Sequence, residues 1–318
     1  MGVIGTGALG YHHARLLRQL PDAELVGIYD TNADRATFVA RELETTAFRT
    51  REELLDRATA VTIAVPTPAH TPVGLAVLAR GRAVLMEKPL ADSLEGADAL
   101  VRAAAAAGVV LQVGHVERFN RAVRAAAPYL DEPRFLQTER LAPFQLRGSD
   151  VPVILDLMIH DLDLVLELAG ADVTDVRATG VAVLTPHVDI ANARVEFANG
   201  AVALVTASRV SRERTRKLRV FQPTGYFSLD LANGTGEFYR LKPGWQALGA
   251  TTLDAIVEHV RLDAPEAEPL RLELESFVRA VRGEAEVAVS GAAGLQALAL
   301  ALRVTDAVQA SPLTAARS

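Results

Sequence analysis

The stretch that decides the fold is Gly5-Thr6-Gly7-Ala8-Leu9-Gly10, near the start of a chain of 318 residues. A short apolar segment, Met1–Ile4, precedes it and predicts a first strand, which an upstream start codon would lengthen. Apolar residues at helical spacing follow over 9–20, and a second apolar segment covers 24–29. This order of strand, glycine turn, helix and strand is typical of a domain that binds a dinucleotide, although a glycine-rich turn alone is a weak signal.

Each glycine of the turn has a distinct predicted role. Gly5 allows the tight turn, Gly7 lets the backbone approach a pyrophosphate, and Gly10 lets helix and strand pack closely. The helix N-terminus adds free N–H groups and a positive dipole. Asp30, 20 residues after Gly10, can accept hydrogen bonds from both ribose hydroxyls. Its negative charge would repel a 2′-phosphate, which favours NAD over NADP. The nearby Arg35 leaves NADP open.

Composition narrows the class of protein. Half of the residues are hydrophobic, and the chain is long enough for two domains. The absence of cysteine excludes disulfides, thiolate metal sites and a cysteine nucleophile. A net charge of −6 with interspersed signs argues against nucleic acid or a membrane surface as partner. Without a signal peptide or an apolar run of membrane length, a cytoplasmic protein is expected.

Two domains are predicted, residues 1–118 and 119–318, with the option that the last helices pack back on the first. The first domain alternates strand and helix, which predicts an α/β fold with a doubly wound parallel Rossmann sheet. After about residue 120, strands follow one another at short spacing, with a hairpin signal at Asn199-Gly200. An α+β domain with an open, mostly antiparallel sheet is expected there. The least interpretable stretch is 241–268, taken as a surface insertion or a loop over the site.

Lys88 is the first catalytic candidate. The strand predicted over 83–86 delivers Glu87-Lys88-Pro89 to the carboxyl edge of the sheet, where ligands of such folds bind. Oxidising an alcohol by hydride loss also removes its O–H proton, and a lysine beside an oxidised nicotinamide loses its own proton more readily. Pro89 restricts Lys88 to extended conformations. A solvated surface lysine is the alternative interpretation.

A second candidate pair lies on one long helix predicted over 150–168. Asp156 and His160 are four residues apart and so share a face. A histidine exchanges protons near neutral pH, and a carboxylate orients it. A purely structural Asp–His bond is the alternative. No metal site is predicted, because two ligands stand without an obvious third.

Other polar residues are weaker candidates for the substrate cleft. Those after the last parallel strand are His115, Glu117, Arg118 and Asn120, and Arg209 ends a later strand. A basic cluster that could meet a phosphate, or form a solvated strand edge, consists of Arg214, Arg216, Lys217 and Arg219. His12 and His13 are interpreted as residues of the helix surface or the cofactor side.

Taken together, these motifs resemble those of the glucose–fructose oxidoreductase, inositol dehydrogenase and rhizopine-catabolism (Gfo/Idh/MocA) family. The carrying segments are Gly5–Gly10, Asp30, Glu87–Pro89, Gly114-His115 with Glu117–Asn120, and Asp156–Asp161. The resemblance implies an NAD(P)-dependent sugar oxidoreductase that often forms homodimers or homotetramers. The runs 155–163, 189–194 and 207–211 are similar to those of the branch that acts on UDP-N-acetylglucosamine.

The resemblance also implies a set of site residues. Catalytic roles fall to Lys88, His160 and Asp156. The cofactor is expected to contact Gly5, Thr6, Gly7, Ala8, Leu9, Gly10, Asp30, Pro66, Thr67, His70, Glu87 and Lys88. The substrate is expected to contact Lys88, Glu117, Arg118, Asn120, Asp156, His160 and Arg209. Two other functions stay open: a free-sugar or inositol dehydrogenase, and a non-catalytic NAD sensor.

Overall fold

A computed structural model describes residues 1–146, 148–249 and 252–310 of the chain. The chain divides into two compact units. The first comprises residues 1–116 with 267–298, and the second comprises 117–266 with the described residues from 299 onward. Over the described ranges, no helix is both long and apolar enough to cross a membrane.

The first unit is built on a parallel sheet of five strands. These are β1 (Gly2–Ile4), β2 (Gly27–Tyr29), β3 (Ala60–Ile63), β4 (Ala83–Glu87) and β5 (Leu111–Gly114). Their order is β2-β1-β3-β4-β5, so the strand order reverses next to β1. Ligands of open parallel sheets bind outside the carboxyl ends of the strands at that point. The prediction of a doubly wound parallel sheet is confirmed.

Helices connect these strands and continue through the second unit. In chain order they are α1 (Ala8–Leu17), α2 (Ala33–Glu42), α3 (Arg51–Arg57), α4 (His70–Leu78), α5 (Leu94–Ala107), α6 (Arg121–Ala126), α7 (Ile159–Ala169), α8 (Leu253–Ile256), α9 (Pro269–Val281) and α10 (Gly291–Gln309). Local sequence sets their ends. For example, Ser93 Oγ accepts from Gly96 N at 3.2 Å at the start of α5, and Gly108 ends it at φ +63°.

One part of the core of the first unit lies between its sheet and the layer that contains α1 and α9. Val3 and Leu85 of the sheet are fully buried, as is Leu17 of α1. Phe277 of α9 belongs to the same buried cluster, although about 150 residues separate α9 from the last strand of the sheet. Each such side chain contributes roughly 1.5–3 kcal/mol by leaving water, so α9 is an integral layer of this unit.

The second unit is built on an open sheet of eight strands. These are β6 (Phe135–Leu141), β7 (Val173–Val181), β8 (Ile190–Phe197), β9 (Val202–Ser208), β10 (Thr215–Gln222), β11 (Gly225–Asp230), β12 (Thr235–Leu241) and β13 (Val257–Leu262). Their order is β13-β12-β11-β10-β6-β9-β8-β7, and every pairing is antiparallel except β6 with β9. The predicted mostly antiparallel sheet is confirmed. So is the hairpin at Asn199-Gly200, where Gly200 adopts φ +82° between β8 and β9.

Two expectations about elements were wrong in part. The stretch 241–268 is not only an insertion, because all of β13 pairs with β12 and forms one edge of the sheet. Residues 250 and 251 of that stretch lie outside the described ranges. The helix expected over 150–168 begins after Pro152, since a proline disfavours helical conformation in the residue before it. Its first part, Ile154–Met158, is a π-helical turn that leads into α7.

Candidate active site

The glycine turn after β1 has the shape that a dinucleotide requires. Gly5 adopts φ +86°, and a side chain there would place its Cβ 2.6 Å from Ala64 O. A Cβ on Gly10 would lie 1.8 Å from Gly5 O, so turn and helix can approach only without it. A Cβ on Gly7 would meet none of the described protein atoms within 4 Å. Gly7 therefore exposes open backbone on the outer side of the turn.

Helix α1 offers its N-terminus at the same place. Gly7 is the residue before its first turn, and as a glycine it has no side chain to accept a hydrogen bond from the first N–H groups of the helix. Free N–H groups at a helix start are a ready site for phosphate oxygens. The exposed Gly7 and Ala8, with the half-buried Leu9, fit a pyrophosphate placed against them.

Asp30 stands beside the turn at the end of β2. Its Oδ2 accepts from the backbone N of Thr6 at 2.6 Å and from Thr6 Oγ1 at 2.9 Å, and Arg35 Nε donates to Thr6 O at 2.8 Å. The acid is thus fixed next to the pyrophosphate position, where an adenosine ribose would lie. These residues fit NAD, with Asp30 opposing a 2′-phosphate.

Lys88 follows β4 at the carboxyl edge of the same sheet, beside a buried carboxylate. Glu87 Oε1 accepts from His13 Nε2 at 2.9 Å, and Glu87 Oε2 accepts from the backbone N of Lys88 at 3.2 Å. Burial raises the pKa of Glu87, but the hydrogen bond from His13 and the charges of His13 and Lys88 lower it further, so the net shift is downward. Gly114 leaves room for this group, because a Cβ there would lie 3.1 Å from the carboxylate.

The sequence left two positions for His13, the surface of α1 or the cofactor side, and the structure contradicts the first. His13 is fully buried rather than on the surface of α1, whereas its neighbour His12 is exposed. The helix buries Gly10, His13, Ala14 and Leu17, which have the i, i+3, i+4, i+7 spacing of an inward face. That spacing was visible in the sequence and predicts a buried partner for His13.

Between β3 and α4, the predicted cofactor neighbours Pro66 and Thr67 lie at the same edge of the sheet, with Pro66 exposed and Thr67 half-buried. His70 is buried and faces inward. Its Nδ1 lies 2.8 Å from Pro89 O and its Nε2 lies 3.0 Å from Val65 O. The ring therefore connects the chain after β3 to the chain after β4, next to Lys88.

The second unit contains a buried network of charges centred on Arg140 of β6. Arg140 donates to both carboxylate oxygens of Asp161 at 2.8 Å and to Glu117 Oε1 at 2.9 Å. Burial alone would lower the pKa of Arg140, but these two carboxylates raise it. Asn120 Nδ2 donates to Glu117 Oε2 at 3.0 Å and to Leu231 O at 2.8 Å. Glu117 and Asn120, predicted as substrate contacts, thus have partners within the protein.

Arg118 and Arg209, also predicted as substrate contacts, have partners too. Arg118 donates to both oxygens of Asp163, at 2.7 and 2.8 Å, and to Glu167 Oε2. Arg209 is buried, and its two terminal nitrogens donate to Gly148 O and Val151 O. Arg209 thus holds in place the segment 148–151, which precedes the π-helical turn.

Asp156 lies in that π-helical turn and His160 in the first turn of α7, both half-buried. Local π turns are frequent at functional sites. Asp156 also lines a cavity of about 140 Å³ together with Arg140, Arg209, Arg214 and Arg216. Arg140 was not predicted from the sequence. Its position in β6 gives it the same parity as the buried Leu136 and Thr138, and this spacing of two was the signal that could have found it.

Comparison with known proteins agrees with this arrangement. Residues 1–115 match the model of the oxidoreductase family with an NAD-binding Rossmann fold, and residues 122–228 match the Gfo/Idh/MocA C-terminal domain. A UDP-N-acetylglucosamine 3-dehydrogenase of Acidithiobacillus ferrooxidans is 41% identical over 97% of both chains. The solved structure of that enzyme, GnnA, superposes with a TM-score of 0.89 at 40% identity, again over 97% of both chains.

A more distant relative has a different name. The scyllo-inositol 2-dehydrogenase (NAD(+)) of Bacillus subtilis is 33% identical over 66% of this chain and 67% of its own. The two relatives share the family rather than a named substrate. On the similarity that spans nearly the whole chain, this protein belongs to the Gfo/Idh/MocA family of NAD-binding oxidoreductases.

Proposed function

We propose that the protein oxidises the C3 hydroxyl of UDP-N-acetylglucosamine with NAD, giving a 3-keto sugar nucleotide and NADH. The observation that carries this proposal is the 41% identity to a UDP-N-acetylglucosamine 3-dehydrogenase through 97% of both chains. Such similarity includes both units and not only the cofactor-binding part. The expected location is the cytoplasm, and the expected assembly is a homodimer or homotetramer.

In this proposal the first unit holds the cofactor. The proposed contacts are Gly5, Thr6, Gly7, Ala8, Leu9, Gly10, Asp30, Pro66, Thr67, His70, Glu87 and Lys88. Supporting observations are the open backbone at Gly7, the uncapped start of α1 and the position of Asp30. These residues would hold NAD, which would supply the hydride acceptor for the oxidation of the sugar.

Lys88 is proposed to take the proton of the substrate hydroxyl. Two observations support it: its place at the carboxyl edge of the sheet and the ionised Glu87 held beside it. The Glu87 carboxylate accepts from the backbone N of Lys88 and so helps to position this residue. To take the proton, the Lys88 amine must be in its neutral form, which the positive charge of a bound oxidised nicotinamide would favour. Positioned acid–base groups contribute typically about 10²- to 10⁴-fold to rate.

Asp156 and His160 are proposed to bind the sugar, with His160 as alternative base or relay and Asp156 orienting it. The π-helical turn that carries Asp156 supports this, as does the cavity that it lines. Glu117, Arg118, Asn120 and Arg209 are proposed to shape the substrate site. Their hydrogen bonds within the second unit suit a supporting role.

A second candidate function is a free-sugar or inositol dehydrogenase, favoured by the relative of that name. Competition by UDP separates the two, because a free polyol has no part that UDP resembles. A non-catalytic NAD sensor would bind NAD but turn over neither class of substrate.

The test is NADH formation from UDP-N-acetylglucosamine, with the keto product removed continuously by an aminotransferase and an amino donor, since alcohol oxidation by NAD is often unfavourable. Wild type is expected to form NADH, and Lys88→Met to lose about 10²- to 10⁴-fold in kcat while still binding NAD. Lys242→Met, which removes a lysine whose Nζ donates to Ala255 O in the second unit, is the matched control. If Lys88→Met turns over like this control, the role of Lys88 is wrong. If intact, NAD-binding wild type forms no NADH, the substrate is wrong.

A further inference from the structure

Strand β10 sends its basic residues to opposite faces of the sheet. Leu218 and Val220 are buried, whereas Lys217, Arg219 and Phe221, which alternate with them along the strand, are exposed. Because side chains alternate along a strand, Arg216 lies on the face of Leu218. The basic cluster in the sequence is therefore two sets, and only one of them faces the cavity that contains Asp156.

Arg216 stands directly opposite Arg140 of β6 in the register of the sheet. Like charges at opposed positions of neighbouring strands are destabilising unless other groups balance them. Asp161 and Glu117 balance Arg140. Arg216 Nη1 lies 3.5 Å from Glu117 Oε1, and that oxygen already accepts from Arg140. The carboxylates of the network thus act mainly on Arg140.

Arg216 is also close enough to two other arginines to be repelled by their positive charges. Burial, followed by the positive charge of Arg140, lowers its pKa; Glu117 opposes this and Arg214 adds to it. A guanidinium remains protonated at every physiological pH despite such a shift. Because Arg216 shares Glu117 with Arg140, an anionic ligand beside Arg216 would be favourable.

The cavity beside these arginines has an unusual composition. Among its described lining residues, four arginines stand against a single acidic residue, Asp156. Arg140 donates to Asp161 and Glu117, and the two terminal nitrogens of Arg209 donate to two backbone carbonyls. Arg214 is exposed, and Arg216 is partly exposed. These two are the guanidinium groups placed to meet a ligand.

We propose that Arg214 and Arg216 bind the diphosphate of a nucleoside diphosphate-sugar, while Asp156 faces its sugar. Two guanidinium groups match the two negative charges of a diphosphate ester, and arginine binds phosphate oxygens in bidentate fashion. A carboxylate in the same cavity suits the hydroxyls of a neutral ring. The assignment rests on the proposed function, and it goes further by naming the group that selects a nucleotide sugar over a free sugar or inositol.

The experiment is a calorimetric titration of UDP into protein saturated with NAD, so that UDP cannot occupy the dinucleotide site. Arg216→Met and Arg214→Met are compared with Arg219→Met, three residues along β10 from Arg216 and on the opposite face. Losing a charged hydrogen bond should weaken UDP binding about 10- to 100-fold in the first two variants. Arg219→Met should change it less than about twofold. Arg216→Lys, which keeps the charge but not the fork, should fall between.

A KM-against-kcat split distinguishes binding from damage. Arg216→Met should raise KM for UDP-N-acetylglucosamine by the same factor as the UDP dissociation constant and change kcat less than about threefold, because the diphosphate is remote from the reacting carbon. Its unfolding temperature should not fall, since Arg140 loses a like-charged neighbour.

Each other result has a definite meaning. If wild type does not bind UDP, or if Arg216→Met and Arg219→Met weaken UDP equally, the diphosphate site is wrong. If UDP binding depends on Arg216 but no NADH forms from UDP-N-acetylglucosamine, the site stands and the proposed reaction fails. If NADH forms with a KM that Arg216→Met leaves unchanged, the reaction stands and the site fails.

Discussion

The glycine turn of the first unit and the arginine-lined cavity of the second are built on different physical principles. The turn consists of six consecutive residues. Its backbone leaves no room for a methyl group at Gly10, whereas a methyl group at Gly7 would point into open space. The cavity is lined by side chains far apart in sequence, such as Arg140, Asp156 and Arg216, and Arg140 is held there by its ion pairs with Asp161 and Glu117. Steric exclusion specifies the first site, and electrostatics specify the second.

This difference predicts different responses to substitution. A site made of backbone fails when one atom is added, because neighbouring backbone cannot move aside. A site made of buried charges fails when one charge is removed, because the remaining partners are left buried and unpaired. Arg140, Gly10 and Glu87 test the two principles, in order of decreasing effect.

Arg140→Met is expected to have the largest effect. It leaves Asp161 and Glu117 buried without their shared cation, at a cost of about 3–5 kcal/mol in the free energy of unfolding. Denaturation by urea measures this cost. Arg240→Met is the control, because its ion pair with Glu258 is half-exposed and such pairs contribute about 0–1 kcal/mol. Equal losses in the two variants would show that charge balance does not hold the second unit together.

Gly10→Ala should have the next largest effect, about 3 kcal/mol, since overpacking costs about 1–3 kcal/mol and here the contact is with the backbone oxygen of Gly5. NAD binding should be lost with it.

Gly7→Ala adds the same methyl group where none of the described protein atoms lies within 4 Å. It should leave the unfolding temperature unchanged and weaken NAD alone, about tenfold or more, the effect of roughly one lost charged hydrogen bond. Thermal unfolding without NAD and an NAD titration separate the two effects. A Gly7→Ala protein that binds NAD normally would contradict the proposal that the backbone at Gly7 contacts the pyrophosphate.

The same contrast explains what could be predicted from the sequence. The turn, Asp30 and the placement of Lys88 follow from contiguous motifs, since strand, turn and helix are local structures. The pairing of Arg140 with Asp161 and Glu117 depends on β6, α7 and the chain after β5 meeting in three dimensions. No local spacing encodes such a meeting.

Other misses have physical causes of their own. Strand β13 is separated from β12 by a poorly patterned connection, and its residues 258, 259 and 261 are exposed, so alternation is weak. The π-helical turn at Asp156 changes the helical period that sequence patterns assume. By contrast, β10 alternates clearly, and the period of two along that strand is enough to separate Arg216 from Lys217 and Arg219.

Glu87 combines the two principles, because Gly114 makes the space and His13 supplies the donor. Its pKa in the folded state lies below the ordinary value of 4.5, so its contribution to stability is present above that pH and is lost as pH falls through the folded pKa. Glu87→Gln should therefore cost about 1.5–3 kcal/mol at pH 7, the range for a hydrogen bond to a charged group. The difference from wild type should shrink as pH falls below 4.5. Urea unfolding at a series of pH values measures it, with the exposed Glu286→Gln as control. A difference that stays constant down to about pH 3.5 would mean that the carboxylate charge is not what His13 and Lys88 stabilise.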